Sequence, residues 1–276
     1  MKLLLIYRLG RVAAHVSIGM ATCAVLFPWL GATARSHRIR IWSRQLMAIC
    51  GVRVEQAAGW ELAQAQSMVV ANHVSWLDIF VINSIHPCRF VAKAEIRDWP
   101  LLGWLSAKAG TVFIARGKRR DLRHIFKGLV DKLVAGERIA FFPEGTTAPQ
   151  GRLLPFHANL FEAAIDAKVP VQPIALAYVD AAGAFHPSVD FIGDMSFARS
   201  LVLILSGPAV TARLVCLATI DSVGAHRREL ALAAQLAVGA ALGIAPDAPS
   251  DATSEPGSAT PHAASAHAPP APDNPA

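Results

Sequence analysis

The chain has 276 residues, 53% of them hydrophobic and only 17% charged, with a mean hydropathy of +0.38. That length holds one α/β domain with a full core plus extensions, and the charge falls short of the quarter or so usual in a freely soluble enzyme. The net charge is +6, and the 26 basic residues all precede Pro246, against 16 acids there; this suits an anionic lipid surface, and no nucleic-acid recognition module is visible.

The predicted elements begin with an apolar stretch. Val12 to Ala34 carries no residue of fixed charge and is just long enough for a tilted transmembrane helix. No small-x-small cleavage site before a polar mature start marks it as a cleaved signal. Arg8 and Arg11 precede it and Arg35, Arg38, Arg40 and Arg44 follow, so flanking charge gives no orientation. The next segment, SHRIRIWSRQLMAICG, mixes apolar residues with arginines. It reads as an interfacial helix with Trp42 at the headgroup level. From Val52 short apolar runs alternate with helical stretches. Strands are predicted over Met68–Ala71, Cys88–Ala92, Thr111–Ala115, Ile139–Phe142, Val171–Tyr178 and Leu201–Leu205. Helices are predicted near 77–85, 100–108, 120–135 and 157–167, with a closing helix over Asp221–Leu242. Such alternation gives an α/β sheet covered by helices. The Pro-, Ala- and Ser-rich tail from Pro246 reads as disordered. The expected division is 1–50 membrane-associated helices, 51–245 the main domain and 246–276 the tail. Cys23, Cys50, Cys88 and Cys216 form no C-x-x-C pair, which argues against a zinc site, and they read as buried thiols of a reducing compartment.

Four stretches carry candidate chemistry. In VVANHVSWLDIF, a strand ends at Ala71 and Asp78 falls in the first turn of the next helix. A carboxylate is favoured there by the helix dipole, and across the turn it can hold one nitrogen of His73. The other nitrogen then faces out of the carboxyl end of the strand, where open α/β sheets bind ligands. An imidazole held in this way is a general base near neutral pH; a turn histidine capping local backbone is the other reading of the motif. In GTVFIARGKRRDLRH, Arg116 follows a strand directly, as a bidentate anion ligand would. Lys118, Arg119 and Arg123 read as a solvated basic face. In FFPEGTTAPQGRLLPF, a strand runs into Glu144, Gly145, Thr146 and Thr147. Gly145 permits a turn whose N–H groups, with the two hydroxyls, could cradle an anion. Glu144 could orient a ligand hydroxyl or pair with Arg116. In VPVQPIAL, Pro170 and Pro173 bracket a strand start.

In this order the four stretches resemble the motif blocks of the glycerolipid acyltransferase family, closest to the bacterial 1-acyl-glycerol-3-phosphate (lysophosphatidic acid) acyltransferases, over roughly residues 65 to 180. FVAKAEIRDWPLLGWLSAKAGTVFIARG also looks like the family's segment between its first two blocks. The resemblance implies a mixed, largely parallel sheet flanked by helices, behind N-terminal membrane-associated helices. It implies that His73 deprotonates a lysolipid hydroxyl and that Asp78 orients His73. Arg116, Glu144, Gly145 and Thr146 would bind the acceptor head. Acyl-CoA or acyl carrier protein would be the thioester donor, with no acyl-enzyme, metal or other cofactor. The partners are thus a lysolipid, a thioester donor and membrane lipids, on the cytoplasmic face of the inner membrane, with phosphatidic acid as product. Two departures weaken the case for a phosphate-bearing acceptor. Many members read F-P-E-G-T-R-S where Thr147 stands here, and a basic residue and Gly often follow the later P-F, where His157 and Ala158 stand. Both remove positive charge, which makes a lyso-ornithine lipid the alternative. A non-catalytic membrane-binding protein and a thioester hydrolase are the rivals from other classes. No G-x-S-x-G elbow is present.

Overall fold

The computed structural model describes residues 2–57, 66–99, 101–114, 119–245 and 247, with backbone only at Lys2 and Arg119–His124. Helices α1 (Lys2–Ala21) and α2 (Ala32–Cys50) open the chain, joined by a π turn over Thr22–Leu26 and a 3-10 turn over Phe27–Trp29. The apolar helical stretch long enough to cross a membrane is Leu3–Trp29, not Val12–Ala34. Leu30 turns extended after Pro28 and Gly31 begins α2, so the expected window straddles a break. α1 packs on α2: Trp42 stacks on His15 at 4.6 Å and donates to the His15 carbonyl at 3.1 Å. Trp42, half-buried, is thus held by α1 within the protein. Leu3, Leu4, Ile6, Tyr7, Ile18 and Trp29 remain exposed on this unit.

The main body is one seven-stranded sheet in the order β1-β7-β6-β2-β5-β3-β4. The strands are β1 (Val52–Gln56), β2 (Met68–Ala71), β3 (Arg89–Lys93), β4 (Val112–Ile114), β5 (Ile139–Phe141), β6 (Val171–Val179) and β7 (Val210–Cys216). Every neighbouring pair is parallel except β6 with β7. The sheet is thus mixed and largely parallel, as expected. Helices α3 (Leu77–Ile85), α4 (Leu102–Lys108), α5 (Arg119–Val134), α6 (Glu162–Ala167), α7 (Phe197–Ser206) and α8 (Arg227–Leu242) connect and cover it. β2 is buried at all four residues, as a central parallel strand covered on both faces must be. Two cores follow. One joins α2, α3 and α7 to Val69, Ala71 and Leu176, and the other joins α5, α6 and α8 to Met68, Val70 and Ala175.

One predicted strand is a helix. Leu201–Leu205 lies inside α7, where Ser200, Ile204 and Leu205 are buried while Val202 and Leu203 face out. That is a helical repeat, and Ser196 caps it by accepting from the Arg199 N–H at 3.3 Å. The strand in this region is β7, nine residues later in its start. Pro173 lies third in β6. Its carbonyl accepts the Leu217 N–H just beyond β7, and the Gln172 side chain takes the place of its missing N–H at the Leu217 carbonyl. Burial pushes the thiols of Cys50, Cys88 and Cys216 up to about 12, which leaves them poor nucleophiles.

Candidate active site

β2, β3, β4 and β5 run in one direction, so their carboxyl ends share one edge. Beyond β2 the chain makes the extended turn Asn72–Ser75 and enters α3. The Asn72 amide bridges to β6: its nitrogen donates to the Leu176 carbonyl and its oxygen accepts from the Leu176 N–H, both at 2.8 Å. This pins the turn where β2 stops. Asp78, in the first turn of α3 and fully buried, reaches back under it. Its Oδ2 lies 2.7 Å from His73 Nδ1 and accepts the N–H groups of Val74 at 2.8 Å and Ser75 at 3.0 Å. Its Oδ1 accepts the Tyr178 hydroxyl at 2.7 Å. An ionised carboxylate only accepts, so His73 carries its proton on Nδ1 and a lone pair on Nε2. No group of the protein bonds Nε2 among the described residues. The His73 side chain is 19% exposed, and its ring stacks flat on Phe142 at 3.9 Å, which faces Phe90 in turn. The imidazole is thus clamped at one nitrogen and along one face, with the other nitrogen available.

The loop after β5 holds the backbone of His73 on both sides. The His73 N–H donates to Glu144 Oε1 at 2.7 Å, and the His73 carbonyl accepts from the Ala148 N–H at 2.8 Å. The other oxygen of Glu144 accepts from the Leu154 N–H at 3.0 Å. Glu144 is only 4% exposed. Burial pushes its carboxyl up to about 7, against the pull of the two N–H donors. Both of its oxygens therefore serve the protein backbone, which differs from the ligand-facing role expected of it. Gly145 sits at φ +70 in the left-handed region, and its N–H closes a turn to the Phe142 carbonyl at 3.1 Å. A Cβ there would lie 3.3 Å from Cδ2 of His157, so His157 borders the same turn. Gly145, Thr146 and His157 are exposed. Thr147 is turned away, its hydroxyl donating to the Phe191 carbonyl. The cradle expected from two hydroxyls thus reduces to Thr146 alone. Arg116 falls outside the described residues, although β4, which it follows, ends on this edge at Ile114. Lys93, paired with Ile114 at the end of β3 and exposed, adds a cation there that the sequence reading passed over.

A buried carboxylate, an oriented imidazole and an exposed glycine turn on one sheet edge can remove a proton from a hydroxyl held beside them. Known proteins place this arrangement. A profile of the Acyltransferase family matches residues 53–177. A lyso-ornithine lipid O-acyltransferase of Pseudomonas aeruginosa is 37% identical over 247 residues, covering 87% of this chain and 94% of that protein. The chain belongs to the glycerolipid acyltransferase family. A 1-acyl-sn-glycerol-3-phosphate acyltransferase of Neisseria meningitidis is 42% identical over 153 residues, covering 55% of this chain and 60% of that one. The fold is also that of the 1-acyl-sn-glycerophosphate acyltransferase of Thermotoga maritima, with a TM-score of 0.64 at 20% identity over 87% of this chain and 94% of the other. This acyltransferase is therefore an O-acyltransferase of the lysolipid type, and the non-catalytic rival falls away. Sequence reasoning missed Tyr178 and the bridge from Asn72 to Leu176, which tie the site to β6 about a hundred residues away. No local spacing signals such a contact.

Proposed function

We propose that this acyltransferase moves a fatty acyl group from acyl-CoA or acyl carrier protein to the free hydroxyl of a membrane lysolipid, with His73 as general base. The observation that carries the reading is the 2.7 Å bond from His73 Nδ1 to Asp78, which leaves Nε2 as the lone-pair nitrogen. Nε2 takes the hydroxyl proton as the lysolipid oxygen attacks the thioester carbonyl. The tetrahedral adduct collapses, the C–S bond breaks, and the imidazolium returns its proton to the leaving sulfur. An ester and a free thiol result, with no acyl-enzyme and no call on a metal or other cofactor. Asp78 orients the ring and balances the imidazolium charge. Glu144 positions His73 through its backbone rather than touching the acceptor. Lys93, Gly145 and Thr146 border the place of the headgroup, and their convergence on one edge supplies the positioning on which such a transfer depends; Arg116 joins them as the anion ligand that the family resemblance implies.

We favour a lyso-ornithine lipid as acceptor. Thr147 and His157 stand where many family members carry fixed positive charge, and the lyso-ornithine relative matches almost its whole length. The ornithine head offers one carboxylate in place of a phosphate and so asks for less cationic charge. The second reading, 1-acyl-glycerol-3-phosphate, draws on the 42% identity over the catalytic blocks. The exposed apolar residues of α1 and the arginines of α2 suit the inner membrane, with the site on the cytoplasmic side where thioester donors reside. The test offers the purified protein both lysolipids side by side, each with acyl-CoA and with acyl carrier protein. Ornithine lipid as the main product is expected. Phosphatidic acid as the main product would keep the mechanism and overturn the acceptor. No product from any pairing would remove both.

A further inference from the structure

We infer that Tyr178 is a positioning residue of acyl transfer: its phenol occupies Oδ1 of Asp78 and thereby sets how strongly Asp78 holds the protonated His73. The inference rests on His73 acting as the base. Tyr178 is fully buried and its hydroxyl lies 2.7 Å from Oδ1. The three other donors to Asp78, from His73, Val74 and Ser75, all converge on Oδ2. Tyr178 is thus the sole recorded partner of the second oxygen among the described residues. Its reach is fixed by the strand, because Leu176, two residues earlier on the same face of β6, is clamped to Asn72. β6 therefore holds both ends of the segment that carries His73, at Asn72 and at Asp78.

The chemistry follows from sharing charge. A hydroxyl donating to one oxygen draws negative charge away from the oxygen that faces the imidazole, and so weakens the grip on the imidazolium. Without it, Asp78 becomes the stronger partner and His73 keeps its proton to higher pH. The hydroxyl itself stays protonated, since burial and the neighbouring carboxylate push it well above its ordinary value. The other titratable groups around this pair are Cys50 at the end of α2, Glu144 after β5 and Asp190 after β6. None of them contacts the Tyr178 hydroxyl, so a change there reports on Asp78 and His73.

The test is the pH profile of kcat/KM for acyl transfer by full-length wild-type, Tyr178→Phe and His73→Ala proteins, whose acid limb reports the base of the free enzyme. Tyr178→Phe should move the acid limb to higher pH by about half a unit or more, with KM for the lysolipid unchanged within about twofold. 3-Fluorotyrosine at position 178 is a stronger donor of the same shape, and should move the limb to lower pH. It also decides the matter if the Phe variant does not fold. Limbs that coincide with wild type, beside an inactive His73→Ala, would reduce Tyr178 to a packing residue and overturn the inference alone. A fully active His73→Ala would remove the base reading and this inference with it.

Discussion

Replacing Asp78 by Asn separates the charge of this residue from its shape. Three N–H groups converge on Oδ2, so an amide nitrogen cannot sit there, and the amide oxygen must take that place. The amide NH2 then faces the Tyr178 hydroxyl, which accepts from it and loses its own acceptor. The proton on His73 stays at Nδ1, and the lost element is the negative charge opposite the imidazolium. With charge centres about 4 Å apart and an effective dielectric near 20, that charge is worth up to about 4 kcal/mol. The amide dipole retains part of this, so kcat should fall by about 10² to 10³, at about 1.4 kcal/mol per tenfold, with KM nearly unchanged. The buried hydroxyl proton, left without an acceptor, costs a further 1–3 kcal/mol or so of stability, which lowers Tm by about 3–10 °C. Thiol release from the donor measures kcat, and nitrogen NMR of His73 reads the tautomer. An unchanged kcat would refute the charge role. A proton found on Nε2 would refute the amide orientation argued here.

Other changes give separate checks. Glu144 binds a proton more tightly folded than unfolded, its carboxyl lying at about 7 against an ordinary 4.5. Its contribution to stability is therefore full below pH 4.5 and lost as pH rises to 7, by about 3 kcal/mol at 1.36 kcal/mol per unit. Glu144→Gln should remove this slope, so the Tm gap between wild type and variant narrows from pH 5 to 7.5; a constant gap would contradict the assignment. Asn72→Ala leaves the Leu176 N–H and carbonyl unpaired in the interior, at about 2–5 kcal/mol, and denaturant unfolding measures it. Gly145→Ala meets both a left-handed φ and the edge of His157. It should cost about 1–2 kcal/mol and lower kcat/KM for the lysolipid, and a variant with wild-type values would show that the turn is free to relax.

What was legible in the sequence tracks what is local. β2, β5 and β6 are buried apolar runs, β3 and β4 are half-buried ones with an apolar centre, and the prediction found all five. β1 escaped because an edge strand of only five residues alternates Val52 and Val54 with Arg53 and Glu55. β7 is interrupted in the same way by Thr211 and Arg213. The uniformly apolar LVLIL of α7 has no period to read, and tertiary packing decided it as helix. In the site, His73 and Asp78 are five residues apart across one turn, so their pairing could be argued from spacing. Glu144 was expected to orient a ligand hydroxyl or pair with Arg116, because the family resemblance places it at the acceptor head. It is buried instead, because two backbone N–H groups need an acceptor where two loops meet. Tyr178 meets Asp78 only through the strand order, which places β6 beside β2.

The most direct test of the central claim compares acyl transfer to a lysolipid by wild-type and His73→Ala proteins of matched Tm. General-base catalysis contributes about 10²- to 10⁴-fold. The account predicts a fall in kcat of at least about a hundredfold, with lysolipid binding retained. Transfer by the variant at the wild-type rate would contradict it.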